Sequence, residues 1–310
     1  YLDFSREQAA FPAAARIEPV LNSAVSYSKA AESLAQTAGN SPEVQKTLRK
    51  AIDNLMLANV LMVYGDIANP LDAPEYFVRQ HYVDFLGREP DESGQDFWVG
   101  RLTPCGSDAQ CMEVSRINVS AAYFHSIEFK ETGFLLYRLY RATFGRAPLL
   151  AEFTPDSQEM SRGVIVHAAG WQERIEANKV AFLQQWVLRP AFKTRFGGMT
   201  NAQFVSALVS NAGVSVSAQE RDALVSALNA GTGRDAVLRR MVELESVARQ
   251  QTNAAFVTME YFGYLQRDPD AGGYAHWLDK LEEFGGNYER AEMVKAFLAS
   301  IEYRQRFGRP

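Results

Sequence analysis

Apolar residues recur along most of this chain at the three- and four-residue spacing of a helix that buries one face. Two such stripes lie near the N-terminus, formed by Val20, Leu21, Ala24 and Tyr27 and by Val44, Leu48, Ile52 and Leu55. Ser41 and Pro42 precede the second stripe and are typical of a helix N-cap and a first helical residue. Gly39 and Asn40 separate the stripes as a turn with a helix-stop residue. Residues 14–65 are therefore predicted to form an antiparallel helical hairpin.

Alternation with a period of two residues, which is typical of a strand with one buried face, is nearly absent. The one short run is Val214–Ser217, and it is shorter than most strands. Pro70 and Pro74 interrupt the helical pattern after the hairpin and mark a boundary. The predicted fold class is an all-α array of packed helices with an N-terminal helical hairpin.

The chain also contains an internal repeat. Shifted by 179 positions, residues 77–102 align without a gap on residues 256–281, and ten of the 26 positions are identical. The shared residues include Arg88, Pro90, Asp91, Gly94 and Trp98 in the first copy and Arg267, Pro269, Asp270, Gly273 and Trp277 in the last. Downstream, residues 126–129 match residues 300–303 at a shift of 174, so the first copy holds a five-residue insertion. Such self-similarity predicts an array of similar helical modules.

Each copy combines one buried helix face with the start of a second helix. In the first copy the apolar face consists of Val78, Tyr82, Phe85 and Leu86. We predict Glu89 as the N-cap of the second helix, Pro90 as its first residue and Asp91 as its second. In the last copy, Asp268, Pro269 and Asp270 take the same positions. Carboxylates there satisfy free N–H groups and favour the positive end of the helix.

The remaining shared residues are also interpreted as structural. We expect Gly94 to let another backbone approach closely and Trp98 to anchor the core one turn further along. Arg88 is expected to pair with a first-turn carboxylate or to cap the carbonyls of the preceding helix. Their counterparts in the last copy are Gly273, Trp277 and Arg267.

A degenerate third copy lies between the two clear ones. Tyr140, Gly145, Arg146 and Pro148 match the first copy at a shift of 58, and residues 189–197 resemble residues 300–308. In the segment after it, Phe204, Leu208, Leu224, Leu228, Leu238 and Val242 suit two or three short helices. The predicted segments are an N-terminal helical hairpin at 1–72, repeat module 1 with a cysteine loop at 73–133, a divergent module at 134–198, a helical connector at 199–252 and repeat module 2 at 253–310.

The chain has two cysteines, Cys105 and Cys111. A zinc site would want four nitrogen or sulfur ligands, and among the histidines only His125 is near in sequence. The short loop between the cysteines can bring the two sulfurs together, so we predict a disulfide. A disulfide would indicate an oxidising, extracytoplasmic location, in the periplasm or at the cell surface. Two unpaired thiols in a reducing compartment are the alternative.

Composition and charge narrow the class of protein. The chain has 310 residues, of which 47% are hydrophobic and 22% charged, so it can bury a core and is not a disordered tail. The net charge of -5 disfavours nucleic acid as a partner. The longest apolar stretch, residues 55–64, is about half of the ~20 residues that a membrane-spanning helix needs. The chain begins with Tyr1, which a trimmed signal peptide or an excised fragment would explain.

Motifs that carry catalysis are missing from the sequence, including the nucleophile elbow, the phosphate-binding loop and the zinc-protease helix. Ser26 and Lys29 form a Ser-x-x-Lys without its partner motifs, and we interpret them as a solvated helix face. Helix capping explains Asp91 and Asp270, and a calcium site is the alternative for them. We therefore expect no enzyme and no cofactor.

Histidines and aromatic residues have a structural and a functional interpretation. His125 and His276 stand beside core aromatics, and we expect them to be packed rather than catalytic. Most aromatic residues fit the helical core stripes. Trp171 and Tyr288 stand beside glycine-rich breaks and are the better candidates for surface rings that stack on a sugar or anchor a protein partner.

The residues of the repeat carry a family resemblance. Residues 77–98 and 256–277 resemble the bacterial helical domain-of-unknown-function family 4214, and the likeness extends over 75–145 and 254–308. It is weaker over 180–252 and absent over 1–70. The resemblance implies small all-helical modules of secreted or cell-surface proteins, and a distant likeness to phycobilisome linker domains implies scaffolding. It implies no catalytic residues.

The sequence leads to one functional hypothesis with one alternative. We expect a non-catalytic scaffolding or interaction subunit of an extracytoplasmic assembly: a surface layer, a filament or the periplasmic face of a membrane complex. Its partners would be other protein subunits or further copies of itself, and residues 1–70, which have no repeat counterpart, would dock it. The alternative is a carbohydrate-binding module of the cell envelope, with a glycan as partner.

Overall fold

The computed structural model describes residues 14–39, 41–64 and 69–308. Within these residues every regular element is helical and there is no β-strand. The prediction of an all-α array with internal repeats and an N-terminal hairpin is confirmed. Asn40 of the predicted turn, the hairpin's predicted last residue 65, and Tyr1 lie outside the described residues.

The helices follow one another with short connections. They are α1 (Ala14–Ala38), α2 (Pro42–Tyr64), α3 (Pro74–His81), α4 (Glu92–Leu102), α5 (Ala109–His125), α6 (Ile127–Phe129), α7 (Leu135–Phe144), α8 (Leu150–Met160), α9 (Trp171–Trp186), α10 (Pro190–Phe196), α11 (Asn201–Ala212), α12 (Ala218–Asn229), α13 (Arg234–Glu243), α14 (Glu245–Glu260), α15 (Ala271–Glu283), α16 (Met293–Leu298) and α17 (Ile301–Gln305). π-Helical turns lie at Tyr82–Leu86, Lys130–Phe134 and Tyr261–Leu265, and 3-10 turns lie at Pro70–Asp72 and Thr103–Cys105.

Helices α1 and α2 pack side by side as the predicted hairpin. Small residues allow this close approach, because Ala24, Ala31, Ala51 and Ala58 are all buried. Ile17 and Leu61 join Ala58 in a small apolar cluster at the open end of the hairpin. At the other end, the Ser41 hydroxyl accepts a hydrogen bond from the Val44 N–H (3.4 Å), in the N-cap role that the sequence predicts.

The chain divides into two compact units that do not follow the segments predicted from sequence. The first unit consists of the described residues within Tyr1–Gln80, Gln95–Thr103 and Ser300–Pro310, and the second of His81–Gly94 and Pro104–Ala299. Each of the two clear repeat modules therefore contributes residues to both units. The five predicted segments describe sequence modules and not five compact bodies, because a repeat buries its apolar face against residues outside itself.

The first unit ties the C-terminal helix to the segment that follows the hairpin. The buried Asn69 side chain donates a hydrogen bond to the Arg304 carbonyl (3.0 Å). The Arg304 guanidinium in turn pairs with both carboxylate oxygens of Asp72 (3.1 and 3.2 Å). The rings of Tyr76 and Phe307 lie edge to face, 6.0 Å apart. These contacts join residues 69–76 to the C-terminal residues 304–307 within one unit.

In the second unit, the π-helical turns of the first and last repeat copies pack against each other. The rings of Phe85 and Tyr264 meet edge to face at 5.0 Å. A Cβ atom added to Gly263 would overlap the Phe85 ring, so the ring occupies the space that a side chain at 263 would take. The Phe124 ring of α5 joins this contact, with its centroid 4.6 Å from that of Phe85 and 5.0 Å from that of Phe256. The two repeats thus share one aromatic core.

The divergent middle of the chain completes the second unit. Trp186 of α9 is fully buried, and its indole N–H donates to the Thr143 hydroxyl (3.0 Å). Asp156 accepts hydrogen bonds from Tyr140 (2.8 Å) and from Arg189 (2.6 and 2.9 Å). The six apolar residues that predict helices in the connector are all buried, in α11, α12 and α13.

Candidate functional site

The shared Asp residue of each repeat begins the second helix. Asp270 is the N-cap of α15, and its carboxylate accepts a hydrogen bond from the Gly273 N–H (2.8 Å). Asp91 accepts from the Gly94 N–H in the same way (2.9 Å). The prediction that the N-cap lies two residues earlier, at Glu89 and at Asp268, is wrong. Each proline precedes the N-cap instead of following it, since the carboxylate after the proline reaches the free N–H groups.

The shared glycine makes room for a tyrosine hydroxyl. A Cβ atom added to Gly94 would overlap the hydroxyl of Tyr82, and one added to Gly273 would overlap the hydroxyl of Tyr261. The prediction of a close backbone approach at these glycines is therefore wrong, because the approaching group is a side chain of the same repeat. Both tyrosines are among the identical residues of the alignment, so the sequence contained the signal.

The shared arginine stacks on the same tyrosine. The guanidinium carbons of Arg88, Arg267 and Arg146 lie 4.9, 5.1 and 5.8 Å from the ring centroids of Tyr82, Tyr261 and Tyr140. Arg88 also binds both carboxylate oxygens of Glu128 (2.9 Å each) and approaches Asp91 (3.5 Å). Arg146 of the divergent copy binds Glu152 through two hydrogen bonds (2.6 and 2.7 Å). The arginine pairs with a carboxylate at the start of the second helix, as predicted, but Asp91 and Asp270 are the N-caps of their helices, and only Glu152 of the divergent copy lies in a first turn.

These contacts hold the charges of the motif in place. Burial alone would lower the pKa of Arg88, but the hydrogen bonds and the charge of Glu128 raise it above the ordinary value. Burial alone would raise the pKa of Asp91, but hydrogen bonds from Ser93 and Gly94 lower it below the ordinary value. The polar atoms of the motif are thus satisfied by the repeat itself, which supports the structural interpretation.

The shared tryptophans have similar near neighbours but are only partly buried. Trp98 meets the Phe97 ring edge to face at 4.9 Å, and Trp277 meets its own neighbour, His276, at 5.1 Å. Trp277 also packs on Phe297 (5.5 Å). Each tryptophan keeps part of its surface exposed, and Trp277 packs on the buried Phe297 ring, so the role of both as core anchors stays a prediction.

Polar side chains at the centre of the second unit form a buried chain. The Nε2 atom of His81 lies 2.7 Å from the Ser120 hydroxyl, which makes a short hydrogen bond to the Tyr264 hydroxyl. The side chains of all three residues are fully buried. A serine and a histidine in contact resemble part of a hydrolase site, yet no substrate reaches groups without solvent exposure.

A cluster of charges lies beside a shallow cavity. The buried Lys179 ammonium binds Glu131 and Glu176 (2.8 Å to the latter) and lies 3.8 Å from Glu243. Arg239 bridges Glu176 and Glu243 (2.5 and 3.0 Å). The cavity, of about 290 Å³, is lined by Val180, Leu183, Asp235, Ala236, Arg239, Arg240 and Glu243. The charged side chains in these salt bridges are paired with one another. None of them is therefore left to hold a ligand in the cavity.

The hairpin exposes a row of large apolar side chains along α2. Leu48, Leu55 and Met62 are 48%, 50% and 49% exposed, and they stand seven residues apart on one helix face. On the neighbouring row of the same helix, Val44 and Ala51 are buried. The sequence stripe that predicts α2 therefore contains one inward and one outward row. Spacing alone does not distinguish them.

The described part of the chain holds no group of three or more His, Cys, Asp or Glu side chains placed to bind a metal ion. None of the helices described here combines the length and the apolar character that crossing a bilayer requires.

Residues 68–133 and 243–307 each match the family described as Domain of unknown function (DUF4214). The chain contains two DUF4214 domains. They cover the two clear copies of the repeat, so the resemblance found in the sequence is confirmed. No curated protein and no solved structure matches the chain.

The first DUF4214 domain contains the cysteine loop. The Cys105 and Cys111 sulfurs are bonded to each other, and the Cα atoms lie 5.4 Å apart. The Asp108 carboxylate accepts a hydrogen bond from the Cys111 N–H (3.0 Å) and begins α5. The loop therefore has the geometry of a disulfide, and its oxidation in the native compartment stays a prediction.

Of the two aromatic surface candidates, Tyr288 lies in the second DUF4214 domain and Trp171 in the divergent module. Tyr288 is half-buried and packs on Phe256 (5.7 Å) and His125 (5.1 Å). Trp171 is also half-buried and lies 6.4 Å from the His167 ring. His125 and His276 contact aromatic rings, as predicted, but both are exposed.

Replacing Gly273 by Ala should destabilise the second DUF4214 domain, because the added Cβ meets the Tyr261 hydroxyl. We expect a loss of about 1–3 kcal/mol in the free energy of unfolding, measured by urea denaturation. Tyr261→Phe removes the hydroxyl, so the double variant should lose less than the sum of the two single variants. Additive losses would contradict this packing.

The mass of the intact chain isolated from its native compartment tests the disulfide. We expect no alkylation of Cys105 or Cys111 before reduction and two alkylated thiols after it, since paired sulfurs do not react. Two thiols that react without a reductant would contradict the disulfide and the oxidising location inferred from it.

Proposed function

We propose that this chain is a non-catalytic interaction subunit of an extracytoplasmic protein assembly, and that its helical hairpin docks it on a helix of another subunit. A surface layer, a filament or the periplasmic face of a membrane complex would be such an assembly. The observation that carries the proposal is the exposed row of Leu48, Leu55 and Met62. Apolar side chains at heptad spacing on an open helix face are typical of surfaces that pack against another helix.

The polar side chains of the two DUF4214 domains support the same proposal. The arginines and aspartates of the motif bind one another, and the polar chain at Ser120 is fully buried. Groups used in this way stabilise a framework and leave little chemistry for a substrate. In this proposal the DUF4214 domains are the stable part of the subunit, and the hairpin is its docking element.

The cysteine loop supports an extracytoplasmic location. Its two sulfurs are close enough to form a disulfide without any rearrangement of α5. Disulfides persist in oxidising compartments and are rare in reducing ones.

A carbohydrate-binding function is the alternative, and it has less support. Sugar sites commonly present an open aromatic face. Tyr288 turns its ring onto Phe256 and His125, and the cavity beside Arg239 is lined by aliphatic and charged side chains.

Changing Leu48, Leu55 and Met62 to Gln together tests the docking role, because Gln keeps helix propensity and removes the apolar row. We expect the variant to co-purify with roughly tenfold less of its native partners than the wild-type chain does. A matched control changes three other exposed apolar residues, Ile165, Val180 and Leu188, to Gln.

The control should keep its partners, and both variants should unfold at the same temperature as the wild-type chain. Undiminished co-purification of the hairpin variant would contradict the docking role. Binding of the wild-type chain to envelope polysaccharide on a glycan array, undiminished by the hairpin changes, would favour the carbohydrate alternative.

A further inference from the structure

The outward face of α2 has the residue spacing of a coiled-coil seam. Alternating steps of three and four residues join Gln45, Leu48, Ile52, Leu55, Asn59 and Met62, which we call the α2 seam. Such steps are typical of the a and d positions of a heptad, along which two helices pack together. The d positions are the exposed apolar row described above, and the a positions are Gln45, Ile52 and Asn59.

The α2 seam is an open strip between two sides of the helix that are already packed. Five of its six residues are exposed, and Ile52 is half-buried. On one side of the seam, Ala58 packs with Ile17 of α1. On the other side, the Asp53 carboxylate binds the Arg79 guanidinium of α3 (2.7 Å). The strip is about 25 Å long at the rise of an α-helix.

The two amide side chains of the seam indicate what kind of helix lies against it. A polar residue at an a position costs stability unless the partner offers it a polar group at the same level. In a parallel pair of α2 helices, Asn59 meets the Asn59 of the other copy, and Gln45 meets the other Gln45. Each amide then has a donor and an acceptor opposite it. In an antiparallel pair, a positions face d positions, so Asn59 would lie against an apolar side chain.

The apolar residues of the seam favour the same arrangement. Ile52 stands at an a position between Leu48 and Leu55 at d positions. A β-branched residue at a with leucine at d favours two parallel strands, and a single Asn at an a position fixes their register. The seam therefore carries both features of a parallel two-stranded pair.

Charge also matches the seam to a second copy of itself. The α2 seam contains no charged residue, and the charged residues of the helix all lie off it: Glu43, Lys46, Arg49, Lys50 and Asp53. Two copies of this neutral face bring no like charges together. A partner helix with a charged seam would have to bury its charge without a counter-ion.

The seam is short for a coiled coil, but α2 does not have to fold when it pairs. Coiled coils commonly extend over about three to four heptads, whereas the seam covers only residues 45–62. Packing on α1 already holds α2 as a helix, so association does not cost the ordering of that segment. We therefore expect a weak dimer, with a dissociation constant of roughly 10–100 µM.

We propose that two copies of this chain pair in parallel and in register through the α2 seam, with Asn59 of one copy against Asn59 of the other. The inference rests on the docking role proposed above, and it identifies the other subunit as a second copy of the chain. Pairing covers the exposed apolar row and gives the seam amides hydrogen-bond partners.

Sedimentation equilibrium of the purified full chain tests the pairing. From about 1 to about 300 µM, the mass of the wild-type chain should rise from that of one chain toward that of two. The variant that carries Leu48→Gln, Leu55→Gln and Met62→Gln should stay monomeric, because the apolar d positions are lost. The control variant with Gln at positions 165, 180 and 188 should associate like the wild-type chain.

Charge exchange at position 59 tests the orientation. Asn59→Asp and Asn59→Lys should each self-associate at least about tenfold more weakly than the wild-type chain, since like charges meet in a parallel pair. An equimolar mixture of the two variants should associate at least about tenfold more strongly than either alone, since opposite charges then meet. Lys46→Asp places a carboxylate on an exposed position off the seam, so this control should associate like the wild-type chain.

A wild-type chain that stays monomeric at the highest concentration would overturn the pairing. A mixture that associates no more strongly than its components would overturn the parallel arrangement. Co-purification separates this inference from the docking role. If the wild-type chain is monomeric and the hairpin variant still loses its native partners, self-pairing is wrong and the docking role holds. If the wild-type chain is dimeric and the hairpin variant keeps its native partners, the docking role is wrong and self-pairing holds.

Discussion

The fit of the Phe85 ring into the space left by Gly263 is the constraint on which the second unit depends. It brings the π-helical turns of two DUF4214 domains into direct contact and fixes the place of Tyr264. Phe124 and Phe256 can then close the shared aromatic core. A domain of this size cannot bury its apolar helix face alone, and here each domain provides the surface that the other lacks.

The two DUF4214 domains fit because they have diverged at the contact. Gly263 stands where the first copy has Asp84, and Tyr264 stands where it has Phe85. Two identical copies would bring a side chain where the ring now lies. The residues that stabilise each copy internally are the same in both copies. They include the Asp that caps the second helix and the Arg that stacks on the Tyr ring.

Features that depend on local rules, such as helix spacing and helix capping, could be predicted from the sequence. Helix spacing and capping located the hairpin, and the duplicated motif located the two domains. Errors of prediction arose where side-chain geometry decides: the N-cap moved from Glu89 to Asp91, and the group that lies against Gly94 is the Tyr82 hydroxyl and not another backbone. The contact between Phe85 and Gly263 could not be predicted, because it joins distant residues at a position where the copies differ. The exposed row on α2 was part of a predicted stripe, but spacing does not say which side of a stripe lies inward.

Equilibrium unfolding in urea of Gly263→Ala, beside Gly272→Ala as control, tests the central packing claim most directly. The added Cβ at 263 meets the Phe85 ring, whereas the nearest atom at 272 is 3.7 Å away. We expect Gly263→Ala to lose about 1–3 kcal/mol of unfolding free energy and Gly272→Ala to keep or slightly raise it. Combining Gly263→Ala with Phe85→Leu should cost less than the sum of the single changes. Equal stability of the two glycine variants would contradict the account.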